Sequence, residues 1–461
     1  MRLLHDRPEE CARQTLTGTQ RAASLIGLAL LGLVAWRWPL PTLVWLNGAA
    51  IVFYVAHSLY KFWLIWTSLG RPVALVLSDA ELTAIPDADL PTYTVLVPLY
   101  DEALVLPQLV EHLGKLDYPA EKLDLQLLLE ADDQPTREAC AALDLPPQFH
   151  PVVVPYSLPR TKPKACNYGL YGCQSDLLVV YDAEDRPEPD QLRKAVAGFR
   201  RLPERVACLQ AKLNFHNQRR NLLTRWFTSE YSVWFDLFLP GLTACRWPIP
   251  LGGTSNHFRA PVLRQLGGWD PFNVTEDCDL GVRLHRQGYR TAMIDSTTWE
   301  EANGNLRSWL RQRSRWVKGY LQTWLVHMRG PLQLWQQLGP GSFFSFHLTI
   351  GGAVAGFLLN PIYWLLTVLW FVTHAPGISA VFPPAIYALG TFCLLVANFV
   401  FVYVAVIGCL NRGYYDLVKY AVLTPLYWLM MSLGAYKAVA QLITRPHYWE
   451  KTDHGMFGGA N

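Results

Sequence analysis

The positions of the apolar residues constrain the fold of this 461-residue chain most, because long apolar runs occur only near its two ends. Near the N-terminus, residues 22–36 and 42–67 form two such runs, with Trp36 and Trp38 at their junction. A helix of about 20 residues crosses the bilayer core, and Trp is enriched at its interfaces. The sequence therefore predicts two transmembrane helices in residues 22–70. The preceding segment, residues 1–21, lacks the features of a signal peptide.

A second apolar block covers residues 342–443, with runs at 343–372, 382–410 and 414–443. Lys and Arg are absent from the linker 373–384, but they occur in 411–419 and in the tail, residues 444–461. Positive residues favour the cytoplasmic side, so we expect the N-terminus and the central region on the cytoplasmic side of the membrane.

The basic tail leaves the number of C-terminal helices open at three or four. A single crossing by the last run would place the tail outside, against its own charges. Two alternatives avoid this conflict. Either Thr424-Pro425 divides the last run into an interfacial or re-entrant piece, or Asn360-Pro361 divides an earlier one.

The central region, residues 71–304, has the pattern of an α/β domain. Short apolar runs at 93–100, 123–133, 149–156, 177–185 and 205–212 alternate with amphipathic stretches. Runs that are apolar on both faces are typical of parallel strands covered by helices. The net charge of +3, without a long basic run, argues against a nucleic-acid partner.

Carboxylates follow three of the predicted strands in succession. The first strand is followed by Asp101 and Glu102, the second ends in "LEADD" (129–133), and another ends in "DAED" (182–185). One acid at a strand end is commonly a turn or helix-cap residue. Because ligands of parallel sheets bind at the carboxyl ends of the strands, three such ends together predict a binding site.

Six motifs in order resemble those of the processive family 2 glycosyltransferases, which include bacterial cellulose, hyaluronan and chitin-type synthases. The motifs are "VPLYDE" (97–102), "LEADD" (129–133), "KPKACNYGL" (162–170), "VVYDAEDRPEP" (179–189), "NVTEDCDLGVRL" (273–284) and "QRSRW" (312–316). The resemblance implies a GT-A domain, Rossmann-like and specific for a nucleotide-sugar, inserted between transmembrane segments. It also implies a UDP-sugar donor, Mg²⁺ or Mn²⁺, and inversion at the anomeric carbon.

The resemblance assigns the metal and the general base to two acidic motifs. Asp182 and Glu184 correspond to the family's Asp-x-Asp pair, and Asp185 is the substitute if the longer Glu184 does not reach the metal. Such a metal prefers oxygen ligands and neutralises the leaving diphosphate. In "TED", Asp277 corresponds to the base that activates the acceptor hydroxyl, next to Glu276. The alternative is that Glu276 and Asp277 only favour the N-terminus of a helix.

Donor recognition falls, by the same resemblance, on the first strand ends and on the segment that begins at residue 162. Glu102 is expected near the nucleoside, and Asp132, or else Asp133, near the base and ribose. Lys164 and Asn167 match the segment that lines the donor pocket, where a Lys neutralises phosphate.

The stretch "GGTSNHFR" (252–259) matches the family's acceptor-side loop. Thr254, Ser255, Asn256 and His257 are the side chains expected to bind sugar hydroxyls there. A structural role for His257 is an equally good interpretation.

The "QRSRW" motif lies in a predicted helix, residues 305–329, at the membrane interface. Gln312, Arg315 and Trp316 share one face by their spacing. The resemblance directs Gln312 and Arg315 to the diphosphate and sugar, and Trp316 to stacking on the acceptor. Arg313, on an adjacent face, is expected to bind phosphate or lipid headgroups. The remaining basic residues are expected to form a collar at the membrane: Arg307, Arg311 and Lys318. Interfacial amphipathic helices then extend over 305–341.

The resemblance thus implies an inverting, processive enzyme of the bacterial inner membrane that polymerises a β-linked exopolysaccharide from UDP-glucose, or else UDP-N-acetylglucosamine, and secretes it. The tail "RPHYWEKTDHG" (445–455) resembles the end of such synthases. Its partners would be the UDP-sugar, the growing polysaccharide, membrane lipids and separate regulatory or export subunits. Two alternatives are an enzyme that adds one sugar to a lipid carrier, and a scaffold without activity.

Overall fold

The computed structural model describes residues 2–70 and 73–451, and its first part is helical. Two of the first four helices are long enough to cross a membrane, and they coincide with the two predicted apolar runs. The segment before them packs on the sheet domain, because the N–H of Ala12 donates to Asp270 at 2.5 Å. These helices are α1 (Arg2–Asp6), α2 (Gly18–Arg37), α3 (Pro39–Leu69) and α4 (Asp79–Thr83).

The central region contains one mixed sheet, which has eight strands among the described residues. The five predicted apolar runs all form strands in it. The strands are β1 (Tyr93–Leu99), β2 (Leu123–Glu130), β3 (Phe149–Val154), β4 (Leu177–Val180), β5 (Arg186–Pro187), β6 (Val206–Phe215), β7 (Asn256–Arg259) and β8 (Arg290–Glu300).

The order and direction of the strands bring six carboxyl ends to one edge of the sheet. The order is β3-β2-β1-β4-β7-β6-β8-β5. Strands β1 to β4 are parallel, β7 is antiparallel to both β4 and β6, and β8 is parallel to β6. The edge therefore collects the carboxyl ends of β1, β2, β3, β4, β6 and β8, together with the beginning of β7.

Helices cover both faces of the sheet, as its apolar strands predict. In β1, Val95 and Val97 pack into one core, and Leu96 between them packs into the other, because successive side chains of a strand point to opposite faces. The covering helices are α5 (Leu106–Leu113), α6 (Gln134–Ala141), α7 (Lys162–Gly172), α8 (Gln191–Arg201), α9 (Leu222–Val233), α10 (Leu239–Cys245), α11 (Ala260–Gln265) and α12 (Glu276–Arg286).

The C-terminal part consists of helices and short connections up to residue 444, followed by a non-helical tail in the described residues, and it begins with the predicted "QRSRW" helix. Its helices are α13 (Leu306–His327), α14 (Pro331–Phe346), α15 (Gly352–Thr373), α16 (Pro376–Ala380), α17 (Pro384–Phe392), α18 (Asn398–Asn411), α19 (Val418–Ala421) and α20 (Thr424–Thr444). Short π-helical turns join α14 to α15 and α17 to α18. By length and composition the described residues contain four helices that can cross a membrane, or five if a bent pair counts as one span.

The last apolar run is bent near one of the two positions at which the sequence suggested a division. Helix α15 runs through Pro361 without a break, whereas residues 415–421 and α20 meet at 65°. The bend therefore lies near Thr424-Pro425 and not at Asn360-Pro361. Before the bend, the carbonyl of Tyr420 accepts from Trp226, and beyond α20, His447 contacts the carbonyl of Phe272 at 3.0 Å. Both ends of α20 thus lie against the sheet domain.

Helix α20 packs along α13, and this packing corrects one expectation. Lys318 is fully buried, and its ammonium donates to the carbonyl of Tyr448 at 2.8 Å and to Gln441 at 3.2 Å. It belongs to the junction between α13, α20 and the tail, and not to a basic collar at the membrane surface.

Candidate active site

A cavity of about 1310 Å³ opens at the carboxyl edge of the sheet and continues between the membrane-length helices. Most of the predicted acids and the predicted face of α13 line its sheet end. The site residues that line it there are Glu102, Asp182, Glu184, Glu276, Asp277, Gln312, Arg313, Arg315 and Trp316. Farther along, α3, α15 and α18 line it with Tyr54, Asn360, Tyr363 and Phe401. The sequence motifs therefore meet around one space.

The acids after β4 divide into two groups. Asp182 and Glu184 line the cavity, but Asp185 is fully buried behind them. Asp185 accepts from the N–H of Asp182 at 2.7 Å and from the hydroxyl of Thr254. Burial raises the pKa of Asp185 well above its ordinary value, and the charges of Asp182 and Glu184 add to this. Asp185 thus supports the turn, which is a correction to its place among the predicted metal ligands.

A fourth carboxylate, Glu300 at the end of β8, increases the concentration of negative charge. Burial raises the pKa of Glu300, and so do the charges of Asp185, Glu184 and Asp182, in that order. No group of three metal-binding side chains stands close enough to hold an ion by itself within residues 2–70 and 73–451. One or two carboxylates that repel each other suit a hard divalent cation. Such a cation would take its other oxygen ligands from a diphosphate.

The two acids of "TED" stand in the first turn of α12. Burial raises the pKa of Glu276 to about 8, with the charge of Asp277 as the second cause. Burial also raises the pKa of Asp277, which the cations Lys162 and Arg315 oppose. The carboxylate of Asp277 faces the cavity beside Gly253, where an added Cβ would lie 3.5 Å from its Oδ2.

Helix α13 fixes the start of α12 by close packing. A Cβ at Gly319 would lie 2.2 Å from Oγ1 of Thr275, so only glycine permits this approach. The side chain of Gln322 accepts from the N–H of Val274 at 3.0 Å, and Asn273 donates to Thr323 at the same distance. The motif with the predicted base and the "QRSRW" helix are therefore one rigid unit.

Of the two lysines in "KPK", the first one reaches the acids. Lys162 forms an ion pair with Asp182 and donates to the carbonyl of Gly253 at 2.7 Å. Lys164, which the resemblance selected, instead forms a buried ion pair with Glu130 at 2.5 Å. Lys162 lines the cavity and Lys164 does not. The likeness to a motif did not separate two lysines that lie two residues apart.

At the ends of β1 and β2 the predicted pair of aspartates supports other residues. Asp132 holds Arg160, whose guanidinium lies 4.4 Å from the ring centre of Tyr100. Asp133 caps α6 and accepts from the N–H of Asp101 at 2.5 Å. Tyr100, Arg160 and the end of β2 line the cavity, but Asp132 and Asp133 do not. Their expected contact with the nucleoside is replaced by a positioning role.

Asn167 likewise lies outside the cavity, on the buried side of α7. Its amide donates to the carbonyl of Trp269 at 2.7 Å and accepts from the N–H of the same residue at 2.9 Å. It fixes the turn at Gly268, where φ is +73° and an added Cβ would lie 2.1 Å from Oδ1 of Asn167. Asn167 therefore fixes a turn, and it does not line the donor pocket.

The predicted acceptor loop, residues 254–257, is sealed inside the sheet. Ser255 donates to Thr298 at 2.7 Å, and the amide of Asn256 donates to the carbonyl of Gly252 at 2.5 Å. His257 is fully buried and lies 2.6 Å from the hydroxyl of Tyr93, and burial lowers its pKa to about 3. The hydroxyl of Thr254 donates to the buried carboxyl of Asp185. In this stretch only Gly252 and Gly253 reach the cavity.

The three residues of α13 that were predicted to share one face do face the cavity together. Gln312, Arg315 and Trp316 all line the cavity. Arg315 is held by the carbonyl of Val274 at 3.3 Å, and the carboxylates of Glu276 and Asp277 act on its charge. The ring of Trp316 stacks on that of Tyr231 with centroids 6.3 Å apart.

Arg313 departs from its expected role because its charge is already paired. It donates through both terminal nitrogens to Glu230, and its guanidinium lies 4.5 Å from the ring centre of Trp316. Only 3% of its side chain is exposed. It is thus unavailable to the phosphate or lipid headgroups expected from the sequence.

The tail contributes residues that the motifs did not single out. The ring of Trp449 lies 4.4 Å from the guanidinium of Arg315, and Lys451 donates to the carbonyl of Tyr100 at 2.8 Å. Between them, Glu450 forms an ion pair with Lys437 at 2.8 Å. Residues 448–451 therefore cross the cavity from α13 to the end of β1. The mixture of aromatic and charged residues in 448–451 was the sequence signal that could have indicated a role at the site. Residues 452–461 of the predicted tail lie outside the described residues.

The mixed sheet, with its acids on the carboxyl edge, defines a GT-A-like fold. A solved structure, the mannosyltransferase PcManGT from Pyrobaculum calidifontis in complex with GDP-Man and Mn²⁺, matches it with a TM-score of 0.52 at 18% identity. The match covers 84% of this chain and 99% of that one.

Sequence comparison identifies the family. The model of Glycosyl transferase family group 2 matches residues 177–433, more than half of the chain, and the chain belongs to this family. A probable glycosyltransferase of Bacillus subtilis, YdaM, is 27% identical over 50% of this chain and 56% of its own length. The beta-monoglucosyldiacylglycerol synthase of Synechocystis is 26% identical over 60% of each chain. The chain thus spans little more than half the length of these relatives.

Proposed function

We propose that this family 2 glycosyltransferase is an inverting, metal-dependent polymerase of a β-linked saccharide, and that it transfers its product across a membrane. The observation that supports this best is the continuity of the cavity. It joins the acids of the sheet edge to Trp316 and then to the membrane-length helices. An enzyme that released each product to the cytoplasm would not need this extension.

Asp277 is the proposed general base. Its carboxylate faces the same space as Asp182 and Trp316, where the acceptor hydroxyl must approach the anomeric carbon. Its raised pKa strengthens it as a base, and the cations Lys162 and Arg315 keep the ionised form accessible. As the hydroxyl attacks, its proton passes to the carboxylate of Asp277, and the bond between the anomeric carbon and the diphosphate breaks.

The leaving diphosphate is proposed to meet two cations of the chain. Lys162 and Arg315 both line the cavity near Asp182 and Asp277. Fixed positive charge placed where negative charge develops lowers the barrier. Asp182 and Glu184 would hold Mg²⁺ or Mn²⁺, which supplies further neutralisation of the diphosphate when bound. UDP is the proposed nucleotide, next to Tyr100, Glu102 and Arg160.

The proposed membrane arrangement is based on which helix ends lie next to the sheet domain and which lie away from it. The ends of α3 and α18 nearest the sheet domain, both ends of α20 and the N-terminal segment lie on one side. The loop between α15 and α17 lies on the other. We therefore place the sheet domain and tail together in the cytoplasm, with α2, α3, α15 and the α17–α18 pair crossing the inner membrane. On this arrangement α20 is interfacial, and the basic tail is on the side its charges favour.

The second candidate is a transferase that adds one sugar to a lipid. The Synechocystis relative, a beta-monoglucosyldiacylglycerol synthase, favours this alternative, because a lipid acceptor could reach the same cavity from the membrane. The polar side chains along its membrane part, among them Tyr54, Asn360 and Tyr363, favour a saccharide. UDP-glucose is the preferred donor and UDP-N-acetylglucosamine the next.

Product length separates the two candidates. The purified protein in lipid nanodiscs is incubated with each radiolabelled UDP-sugar and Mg²⁺ or Mn²⁺, and the product is separated by size. We expect a ladder of saccharides that linkage-specific hydrolases digest. A single labelled lipid, extractable into organic solvent, would contradict the polymerase and support the alternative. Omission of the metal, with chelator present, should abolish either product.

A further inference from the structure

Glu230 presents a carboxylate to the cavity, although it belongs to none of the family motifs. It lies in α9, next to Tyr231, whose ring stacks on Trp316. About a third of its side chain is exposed, at 33%, and it lines the cavity. A charged group beside an aromatic platform is a combination that binds sugars, because the ring accepts the apolar face and the charge binds the hydroxyl edge.

The hydrogen bonds of Glu230 leave one acceptor position free for a ligand. Arg313 donates to Oε1 at 2.9 Å and also to Oε2, and the hydroxyl of Tyr427 donates to Oε2 at 2.6 Å. An ionised carboxylate has about four acceptor positions. The three donors hold it from the protein side, where Arg313 and Tyr427 are buried. The remaining position is therefore on Oε1, and the side chain as a whole lines the cavity.

A second ion pair nearby shows what a purely structural one looks like in this fold. Arg412 donates to both oxygens of Asp236, at 2.5 and 3.1 Å. Only 10% of the Asp236 side chain is exposed, and neither residue lines the cavity. The two carboxylates have the same kind of partner within the same stretch of chain. They differ in that Glu230 opens towards the path of the acceptor.

We propose that Glu230 accepts a hydrogen bond from a hydroxyl group of the acceptor saccharide while that saccharide lies on Trp316. Arg313 and Tyr427 are positioning residues, since they fix the carboxylate and, through the guanidinium 4.5 Å from the ring centre, the platform itself. This inference rests on the proposed function and adds the polar half of its acceptor site. It also gives Arg313 a role in place of the phosphate contact expected from the sequence.

The test is equilibrium binding of cellotetraose and chitotetraose to the full chain in nanodiscs, measured by calorimetry, with UDP binding measured alongside. Glu230→Gln keeps the size of the side chain and removes its charge. We expect tetraose affinity to fall about 10- to 100-fold, as for the loss of a hydrogen bond to a charged group. UDP affinity should stay unchanged. The matched control is Asp236→Asn, which removes a charge from the structural pair and should change neither affinity.

Two further variants guard against the possibility that Glu230→Gln acts by disturbing the fold. Tyr427→Phe removes one hydroxyl that holds Glu230, and Arg313→Lys keeps the charge but removes the fork. Each should weaken tetraose binding less than Glu230→Gln does and leave UDP binding unchanged. The inference is overturned if the wild-type chain binds neither tetraose, if Glu230→Gln leaves their affinity unchanged, or if Asp236→Asn lowers it equally. None of these readouts requires sugar transfer, so the proposed polymerase fails separately, when no ladder forms from any UDP-sugar.

Discussion

Two short segments of this protein exchange the roles that their sequences predict. The loop at residues 254–257 resembles an acceptor-binding loop, yet its side chains are buried in the sheet and hold the acidic turn and β7 together. The tail at residues 448–451 resembles only the end of related chains, yet it crosses the cavity and contacts both Arg315 and the end of β1. We call these segments the sealed loop and the closing tail.

The difference follows from what each segment has as neighbours. The sealed loop enters an antiparallel strand between β4 and β6, so both of its faces are covered and its polar groups must be bonded internally. The closing tail follows helix α20 and has a domain surface on one side only. A motif with hydroxyl and imidazole side chains thus shows only that the segment is polar. The pairing of the strands decides whether these side chains face a ligand or the interior of the sheet.

The largest effect is expected at Asp277, which faces the cavity across from the glycines before the sealed loop. Asp277→Asn should lower kcat about 10²- to 10⁴-fold, because the amide cannot take the hydroxyl proton. Thermal unfolding should stay near that of the wild type. Sugar transfer from the radiolabelled UDP-sugar measures the effect, and a loss below tenfold would assign the base elsewhere.

The pH dependence sharpens this assignment. Burial raises the pKa of both acids in the pair, so kcat/KM should fall on the acid side, at a pH above the ordinary aspartate pKa of about 3.9. Since the pKa of Glu276 is about 8, this residue is mostly neutral at pH 7. Glu276→Gln should therefore keep most of the activity at that pH. An equal loss in Glu276→Gln and Asp277→Asn would contradict the assignment.

The sequence predicted much of the fold, and it predicted which segments meet at the cavity, for reasons that are local. Strand and helix periods depend on neighbouring residues, and parallel strands necessarily bring the segments after β1, β2 and β4 to one edge. The spacing of Gln312, Arg315 and Trp316 placed them on one face. The choice between Lys162 and Lys164, and the burial of Arg313, depend on partners far along the chain, and no local pattern contains them.

Trp316 lines the cavity where the acceptor is proposed to bind, and its substitution tests that role. Trp316→Ala should abolish formation of the polymer, because the acceptor end loses its stacking surface, while UDP binding stays largely intact. Size separation of labelled product and calorimetry with UDP give the two readouts. Loss of both together would mean that α13 as a whole is disturbed, and Trp316 would then be a packing residue.

The closing tail should contribute about tenfold to donor binding. The ring of Trp449 covers Arg315, and a cation–π contact contributes about 0.5–2 kcal/mol, depending on how far it is desolvated. Trp449→Ala should raise KM for the UDP-sugar about tenfold, while the acceptor affinity remains. Tyr436→Ala, an exposed aromatic of α20 outside the cavity, is the matched control. An unchanged KM would make the tail an accessory of α20 alone.

The sealed loop should respond in stability rather than in substrate affinity. Thr254→Val removes the hydroxyl that donates to Asp185 and leaves a buried carboxyl with one partner fewer. Such a loss costs about 1–3 kcal/mol, so the midpoint of thermal unfolding should fall. KM values for donor and acceptor should stay close to those of the wild type. A specific rise in acceptor KM without a loss of stability would return the loop to its predicted role.

The smallest effect is expected at Arg311, on the outer side of α13. Its guanidinium lies 3.8 Å from Glu450, which already has two contacts with Lys437 at 2.8 Å and one with Gln441 at 3.0 Å. A partly exposed pair of this kind contributes about 0–1 kcal/mol. Arg311→Ala should thus change product yield less than about twofold, whereas Arg315→Ala, four residues on, should lose most activity. Equal losses would show that the tail depends on charge around Glu450 and not on the stacking of Trp449, and the closing tail would then act through its anchor.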